Sequence, residues 1–167
     1  VSRPNRYIGS ALNQIPRDFA TAKLRVALAL GDAYEIGMSH LGLRILYHIL
    51  SQRADTAAEF CFAPWADAEQ ELRKGKIPLA TLGSQRPLSE FDVIGFSLQY
   101  ELHYTNILNM LDLGGVPLLS HERGEDDPLV IAGGHSAYNP EPMADFFDAF
   151  VVGDGEEVLL RVADEAE

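Results

Sequence analysis

The sequence predicts one doubly wound α/β domain, in which helices cover both faces of a mainly parallel sheet. Short continuous apolar runs recur along the chain, and each ends in small or polar residues, as strands buried on both faces do. Amphipathic segments of helical length separate these runs, so strands and helices alternate as in βαβ units. The length of 167 residues suits a single domain with a substantial core, and no internal repeat is evident.

Five apolar segments are the predicted strands. They cover residues 24–30, 58–64, 91–98, 128–134 and 147–155. Residues 77–82 are either a minor strand or an extended connection. Right-handed crossovers restrict the possible topologies, and five strands favour the Rossmann-like order 2-1-3-4-5 of the flavodoxin type.

Four helices are predicted, at 38–53, 67–75, 105–115 and 156–167. Ser39 is the expected N-cap of the first helix. Its apolar residues at helical spacing are Leu41, Ile45, Leu46, Ile49 and Leu50. The second helix has acidic residues early and basic residues late, and Gly75 is its expected stop.

The two ends of the chain predict an arm and a truncated domain. Residues 1–22 are polar and contain Pro4 and Pro16, so we expect an N-terminal arm that packs across a sheet edge or reaches a neighbouring domain. Residues 23–167 are then the α/β domain. Because the closing helix stops without Gly or Pro and residue 1 is Val, we expect a fragment of a longer protein.

Composition limits the partners. The 13 basic and 25 acidic side chains give a formal net charge of −12, which repels nucleic acid. No apolar run approaches the roughly 18 residues of a membrane span, and no secretory signal is visible. We therefore expect a cytoplasmic protein that binds neither nucleic acid nor membrane. The lone Cys61 allows no internal disulfide or cysteine cluster and is expected to be a buried small hydrophobe.

The loops that follow the strands are the expected ligand site, since ligands of such sheets bind beyond the carboxyl ends of the strands. These loops are residues 31–37, 97–106, 133–142 and 153–157. They contain glycines, which permit close backbone approach or simply tight turns, and hydrogen-bonding side chains. The candidates are Tyr34, Ser97, Gln99, Tyr100, Gly133, Gly134, His135 and the weak glycine pair Gly153 and Gly155. No phosphate-loop motif, HExxH pair or recognisable carboxylate pair is present, so no catalytic or metal-ligating residue is assigned.

Three of these loops resemble the motifs of cobalamin-binding domains. Residues 32–37 (DAYEIG) resemble an Asp-x-His-x-x-Gly motif, residues 97–99 (SLQ) resemble Ser-x-Leu, and residues 133–134 are the Gly-Gly pair. The run at 130–164 resembles a signature that leads into the barrel of radical SAM proteins. Over residues 5–162, the chain is similar to the N-terminal, cobalamin-binding-like domain of an uncharacterised bacterial family of fused radical SAM proteins.

The resemblance implies a cofactor site and a partner domain. Ser97 would bond the nucleotide tail of cobalamin, and the glycine pair would clear room for it. Asp32, Tyr34 and Gly37 would shape the loop below the corrin ring. The [4Fe–4S] cluster and S-adenosylmethionine would belong to a downstream radical SAM domain with a CxxxCxxC motif, which this chain lacks. This domain itself is then not catalytic.

Three departures from the pattern leave two interpretations open. Tyr34 stands where many cobalamin domains place the histidine that ligates cobalt, Gln99 replaces Leu, and His135 replaces a common Pro. The domain either binds cobalamin or has kept the fold as a cobalamin-free scaffold or substrate-recognition domain on the barrel. A small flavin- or phosphate-binding enzyme is disfavoured, because no phosphate loop follows the first strand.

Overall fold

Five parallel strands form one sheet in a computed structural model that describes residues 1–9, 15 and 17–166. The strands are β1 (Leu24–Leu30), β2 (Thr56–Phe62), β3 (Val93–Ser97), β4 (Leu129–Gly133) and β5 (Ala149–Val151). Their order is β2-β1-β3-β4-β5, and every neighbouring pair is parallel. The predicted fold class and strand order are confirmed.

Five helices of more than one turn accompany the sheet in the described ranges. They are α1 (Tyr34–Ser39), α2 (Leu41–Ser51), α3 (Ala66–Gly75), α4 (Tyr104–Gly114) and α5 (Gly155–Glu165). Short 3-10 helices lie in the loops, and the one at Glu101–His103 leads directly into α4. Within the described residues, no helix combines the length and the apolar character needed to cross a membrane.

The helices divide the core into two layers. On one side α2 and α5 bury Leu43, Tyr47 and Leu159 against strand residues such as Leu28 and Ile131. On the other side α4 buries Ile107, Met110 and Leu111 against Ile94 and Phe96, and α3 adds Leu72. We call these the α2/α5 face and the α3/α4 face. Alternate side chains of each strand enter the two layers, which is why the strands read as continuous apolar runs.

The helix predicted at 38–53 is interrupted at His40. His40 has extended backbone (ψ 106°), and its Nδ1 accepts a hydrogen bond from the backbone N–H of Leu43 at 3.1 Å. Ser39 is instead the last residue of α1, where its hydroxyl donates to the carbonyl of Ile36. The N-cap predicted at Ser39 is therefore wrong, because an imidazole acceptor one residue later occupies the cap position.

The buried face of α2 also differs from the prediction. Leu43, Tyr47 and Leu50 point into the core, whereas Leu41 and Ile45 are exposed. Tyr47 takes the central position because its ring lies 4.7 Å from that of Phe60 in β2. The predicted stripe thus omitted an amphipathic aromatic residue that packs as an apolar one.

The structure decides between the two alternatives that the sequence left open for residues 77–82. Residues 77–82 are an extended connection with one isolated bridge, Ala80 to Pro87, and do not add a strand to the sheet.

The end of α3 lies one residue later than predicted. Gly75 is still helical, and Lys76 (φ 52°) is the left-handed residue that ends α3. Cys61 is fully buried on the α3/α4 face, as expected.

The first nine residues lie against the loops that follow β1 and β2. Arg6 pairs with Glu35 of α1 at 2.9 Å, and the hydroxyl of Tyr7 accepts from the backbone N–H of Trp65. The N-terminal arm at residues 1–22 stays a prediction. The rest of the predicted arm is only partly described, and Pro16 lies outside the described residues.

Candidate functional site

A cavity of about 430 Å³ opens at the carboxyl edge of the sheet on the α2/α5 face. Its floor is formed by the strand residues Leu28, Gly95 and Ile131. Leu43 of α2 and Leu159 of α5 form two of its walls. We call this cavity the edge pocket. Volumes of roughly 300–1000 Å³ with mostly apolar walls are typical of small-molecule sites.

The edge pocket brings together the predicted loops after β3, β4 and β5. The candidates that line it are Ser97, Gln99, Gly133, Gly134, His135, Gly153 and Gly155. The loop after β1 lies beside the pocket, and its candidates do not line it. These are Asp32, Tyr34 and Gly37, together with Tyr100 from the loop after β3.

Gly95, in the middle of β3, was not among the predicted site residues. A Cβ at this position would point between Leu28 and Ile131, 3.6 Å from Cδ2 of Leu28, so the absence of a side chain leaves the pocket floor open. The available signal was a glycine inside an otherwise apolar strand, which often marks close approach of a ligand or another backbone.

The glycine pair after β4 has two separate roles. Gly134 has φ 106°, and a Cβ there would lie 2.7 Å from the carbonyl oxygen of Leu98. Its backbone conformation therefore requires glycine whether or not a ligand binds. A Cβ on Gly133 would make an ordinary contact, 3.6 Å from Cβ of Val151.

Hydrogen-bonding groups are concentrated at one end of the edge pocket. The amide nitrogen of Gln99 donates to the hydroxyl oxygen of Ser97 at 2.6 Å. Since a hydroxyl that accepts one bond still has its own proton to donate, Ser97 retains a donor for a ligand. Gln99 has a carbonyl acceptor as well, so the pair offers both hydrogen-bonding roles.

The charges around the edge pocket disfavour a phosphate-rich ligand. None of the described residues that line it is Lys or Arg, and Asp154 and Glu156 lie at its α5 side. The N-terminus of α5 would attract an anion, but these two carboxylates oppose that attraction. The lining instead fits an uncharged, flat group with a few hydrogen-bonding atoms.

A polar cluster of Asp32, Tyr100 and His103 closes the crevice between β1 and β3. The hydroxyl of Tyr100 donates to Oδ2 of Asp32 at 3.2 Å, and Oδ1 accepts from the N–H of Ala33 at 2.7 Å. Nε2 of His103 lies 3.6 Å from the same Oδ2, and the rings of Tyr100 and His103 are 4.1 Å apart. His103 was not singled out in the sequence, since its burial depends on long-range packing.

His103 is a buried side chain beside the Asp32 carboxylate. It is 2% exposed, and neither ring nitrogen has a hydrogen-bond partner among the described residues. Burial lowers the pKa of His103, while the Asp32 carboxylate opposes this effect. Desolvation and the same carboxylate raise the pKa of Tyr100.

The other two candidates of the β1 loop pack against β2. The rings of Tyr34 and Phe62 meet edge to face at 6.0 Å. A Cβ on Gly37 would overlap the Phe62 ring, so glycine is needed there for α1 to approach the sheet. Tyr34 and Gly37 therefore fix the packing of the loop after β1 against β2, and they do not line the edge pocket with the other candidates.

The chain is a doubly wound α/β domain with an open cavity at the carboxyl edge of its sheet. Residues 42–167 match the family described as radical SAM proteins, N-terminal, and the chain belongs to that family. This match confirms the membership in a radical SAM family that the sequence motifs implied.

Individual relatives are distant. An uncharacterized protein of Methanocaldococcus jannaschii is 27% identical over 141 residues, which are 82% of this chain and 26% of the relative. The chain thus spans about a quarter of the length of this curated relative. Among solved structures, a novel cobalamin-binding protein from Desulfitobacterium hafniense matches at a TM-score of 0.45 and 14% identity, over 83% of this chain and 58% of that one. A similarity at this level says nothing about the ligand of this chain.

Proposed function

We propose that this chain is a cofactor-binding domain that holds cobalamin by its nucleotide tail in the edge pocket. The observation that carries the proposal is the pocket itself, an apolar cavity of about 430 Å³ that the missing side chain of Gly95 leaves open at the carboxyl edge. The tail of cobalamin ends in a flat, uncharged benzimidazole base. Such a base suits an apolar floor and walls that carry no Lys or Arg in the described lining.

The polar end of the edge pocket supports the same ligand. Ser97 and Gln99 offer a donor and an acceptor to the ribose that joins the base to the single phosphate of the tail. The resemblance of residues 97–99 to the Ser-x-Leu motif supports the same position for the tail. Gln99 extends this motif with an amide instead of an apolar side chain.

The surface around the edge pocket supports a large flat ligand. Exposed apolar side chains follow every strand at this edge: Ile36 after β1, Trp65 after β2, Tyr100 and Leu102 after β3, Tyr138 after β4, and Val152 after β5. Exposed apolar side chains after every strand of one edge favour a binding surface there. We assign it to the corrin part of cobalamin, which supplies a cobalt centre that carries and transfers alkyl groups.

We further propose that the chain is the N-terminal part of a longer radical SAM protein. The [4Fe–4S] cluster and S-adenosylmethionine would then belong to a downstream domain, for which this domain is the partner. The family description supports this arrangement, as does the greater length of the curated relative.

A second candidate function is a cobalamin-free domain that packs on the downstream barrel. The same exposed apolar edge favours it, because two protein domains can bury such a surface without any cofactor. The edge pocket favours the first candidate over a pure scaffold, since a scaffold has no need of an open apolar cavity, whereas a cobalamin-free substrate-recognition domain would use the same cavity.

Titration with hydroxocobalamin tests the proposal. We expect Gly95→Leu, which fills the pocket floor, to weaken binding at least about tenfold, equivalent to ~1.4 kcal/mol. Gly124→Leu is the matched control, because a Cβ at Gly124 meets nothing within 4 Å and lies in the 121–128 loop, away from the pocket. Unchanged affinity in Gly95→Leu, with both variants folded by circular dichroism, would exclude the edge pocket as the site.

A further inference from the structure

A second cavity, of about 290 Å³, lies beside α3 at the end of β2. It shares no lining residue with the edge pocket, and Val1, Arg6 and Tyr7 form its outer wall. Its volume is close to the lower end of the roughly 300–1000 Å³ typical of small-molecule sites, so it has room for a ligand with one ring. The larger apolar residues of its other walls are Tyr34, Phe62, Leu72, Ile77, Leu79 and Leu82.

Aromatic rings form the part of the second cavity nearest the sheet. Phe62 is the last residue of β2 and Tyr34 is the first of α1, and their rings meet edge to face at 6.0 Å. The hydroxyl of Tyr34 makes no hydrogen bond to any described residue. Aromatic faces attract cations as well as apolar groups, so this end of the cavity accepts both.

A single carboxylate interrupts the apolar surface on the side of α3. Ala68, Glu71 and Leu72 all line the second cavity, at the spacing of one helix face. Within the described ranges, Glu71 has neither a hydrogen bond nor an ion pair, although Lys74 follows it by one helical turn. Glu71 is also exposed to solvent, so its charge stays hydrated while the cavity is empty. An unpaired carboxylate beside apolar walls favours a ligand with a positive charge.

The cationic groups of the same lining already have counter-charges. Arg6 pairs with Glu35 at 2.9 Å, and the carboxylate of Asp67 attracts the α-amino group of Val1. In the described lining, Glu71 is therefore the charged group without an opposite charge beside it. The formal net charge of −12 adds a general attraction for cations.

The outer wall of the second cavity is held by a small number of polar contacts. The side-chain amide of Gln85 donates to the carbonyl of Tyr7 at 3.0 Å, and the Tyr7 hydroxyl accepts from the backbone N–H of Trp65. Gln85 has left-handed backbone (φ 59°), which is uncommon for a residue other than glycine. Strained backbone of this kind clusters at ligand sites. A wall with so few contacts is able to move aside for a ligand.

We propose that the second cavity binds an organic cation, a small molecule with an aromatic or aliphatic body and one ammonium group. The body would lie against Phe62 and Leu72, and the ammonium group would donate to the carboxylate of Glu71. A hydrogen bond between two charged groups is stronger than one between neutral groups. The unused hydroxyl of Tyr34 offers a further acceptor. The site is separate from the edge pocket and does not depend on the proposed function.

Calorimetric titration of this chain with phenethylammonium, 2-phenylethanol and phenylacetate tests the proposal. The three probes have similar bodies and are cationic, neutral and anionic. We expect phenethylammonium to bind at least about fivefold more tightly than 2-phenylethanol, because only the cation pairs with Glu71. Phenylacetate should bind more weakly than either. Equal affinities for the cation and the alcohol, or no measurable binding of the cation at millimolar concentration, would overturn the proposal.

Glu71→Gln removes the charge and keeps the size of the side chain at an exposed position. We expect this variant to bind phenethylammonium no more tightly than 2-phenylethanol, with the affinity for the alcohol unchanged. Glu157→Gln is the matched control, since Glu157 is an exposed carboxylate of α5 outside the lining of both cavities. An equal loss of affinity in the two variants would assign the effect to net charge and overturn the proposal.

Nuclear magnetic resonance of the ¹⁵N-labelled chain locates the bound phenethylammonium. We expect shifts of the amide signals of Phe62 and Leu72, and none at Gly95 and Gly133 of the edge pocket. Shifts confined to the edge pocket would contradict the assignment. Glu71→Gln is expected to bind hydroxocobalamin as the unmodified chain does, so failure of this proposal and failure of the proposed function are distinguishable.

Discussion

The glycines at the carboxyl edge are of two kinds. Some are required by backbone conformation or close packing, and others keep space open for a ligand. Gly134 and Gly37 are required by close packing, since a Cβ would meet Leu98 or Phe62. Gly95 has room for a side chain of moderate size, and its absence keeps the edge pocket open. Function and stability are therefore separable at the level of single glycines.

Gly134→Ala is predicted to destabilise the fold. The positive φ and the contact with the Leu98 carbonyl both oppose a Cβ, so we expect a loss of about 1–3 kcal/mol in the free energy of unfolding, measured in urea. Gly133→Ala is the matched control and should change the free energy by less than ~1 kcal/mol. Equal effects at the two positions would contradict this assignment of roles.

Cys61 is predicted to make stability fall at high pH. Burial raises the pKa of its thiol from 9.0 to about 12. Between these values the unfolded chain loses the proton and the folded chain keeps it, so the free energy of unfolding declines as pH rises above about 9. The slope contributed by one such group approaches ~1.4 kcal/mol per pH unit.

Urea unfolding between pH 8 and pH 10.5 measures this contribution by comparison with Cys61→Ala, in which it should be absent. Other groups titrate in the same range in both proteins, so only the difference between the two curves is informative. Parallel curves would mean that the folded thiol ionises as readily as the unfolded one.

At the scale of elements, the amino edge of the sheet holds the strands together by charged contacts. Asp92 accepts from the backbone N–H of Arg25 at 2.7 Å, and Asp148 accepts from that of Val130 at 2.7 Å. Arg123 adds bonds from its guanidinium to Asp148 and to the carbonyls of Pro117 and Phe146. These contacts anchor the loop before β4 to the start of β5 and leave the carboxyl edge free for a ligand.

Arg123→Met is predicted to lose about 3–5 kcal/mol in the free energy of unfolding. The Arg123 side chain is only 3% exposed, and its removal leaves Asp148 without its charged partner. Arg73→Met is the control, since Arg73 pairs with Glu69 and Asp112 at the surface and should change stability much less than Arg123→Met. Similar losses in both variants would show that the amino-edge network is no stronger than a surface pair.

At the scale of the whole molecule, the strand order was predictable and part of the site was not. The buried runs at 24–30 and 91–98 predict parallel strands because both faces are covered, and the loops after them follow from that order. The break at His40 and the burial of His103 depend on contacts between residues far apart in the chain. Gly95 was visible in the sequence, but only the sheet shows that it opens a cavity.

The amino and carboxyl edges of the sheet therefore differ in structure. The amino edge is closed by ion pairs, and the carboxyl edge combines an open cavity with exposed apolar side chains. Our central claim is that the edge pocket accepts the nucleotide tail of cobalamin.

Calorimetric titration of this chain with hydroxocobalamin and with cobinamide, which has the corrin ring but lacks the nucleotide tail, tests this claim most directly. We expect cobalamin to bind at least tenfold more tightly, and Gly95→Leu to remove most of that difference. Equal affinity for the two corrinoids, or no measurable binding of cobalamin, would contradict the claim.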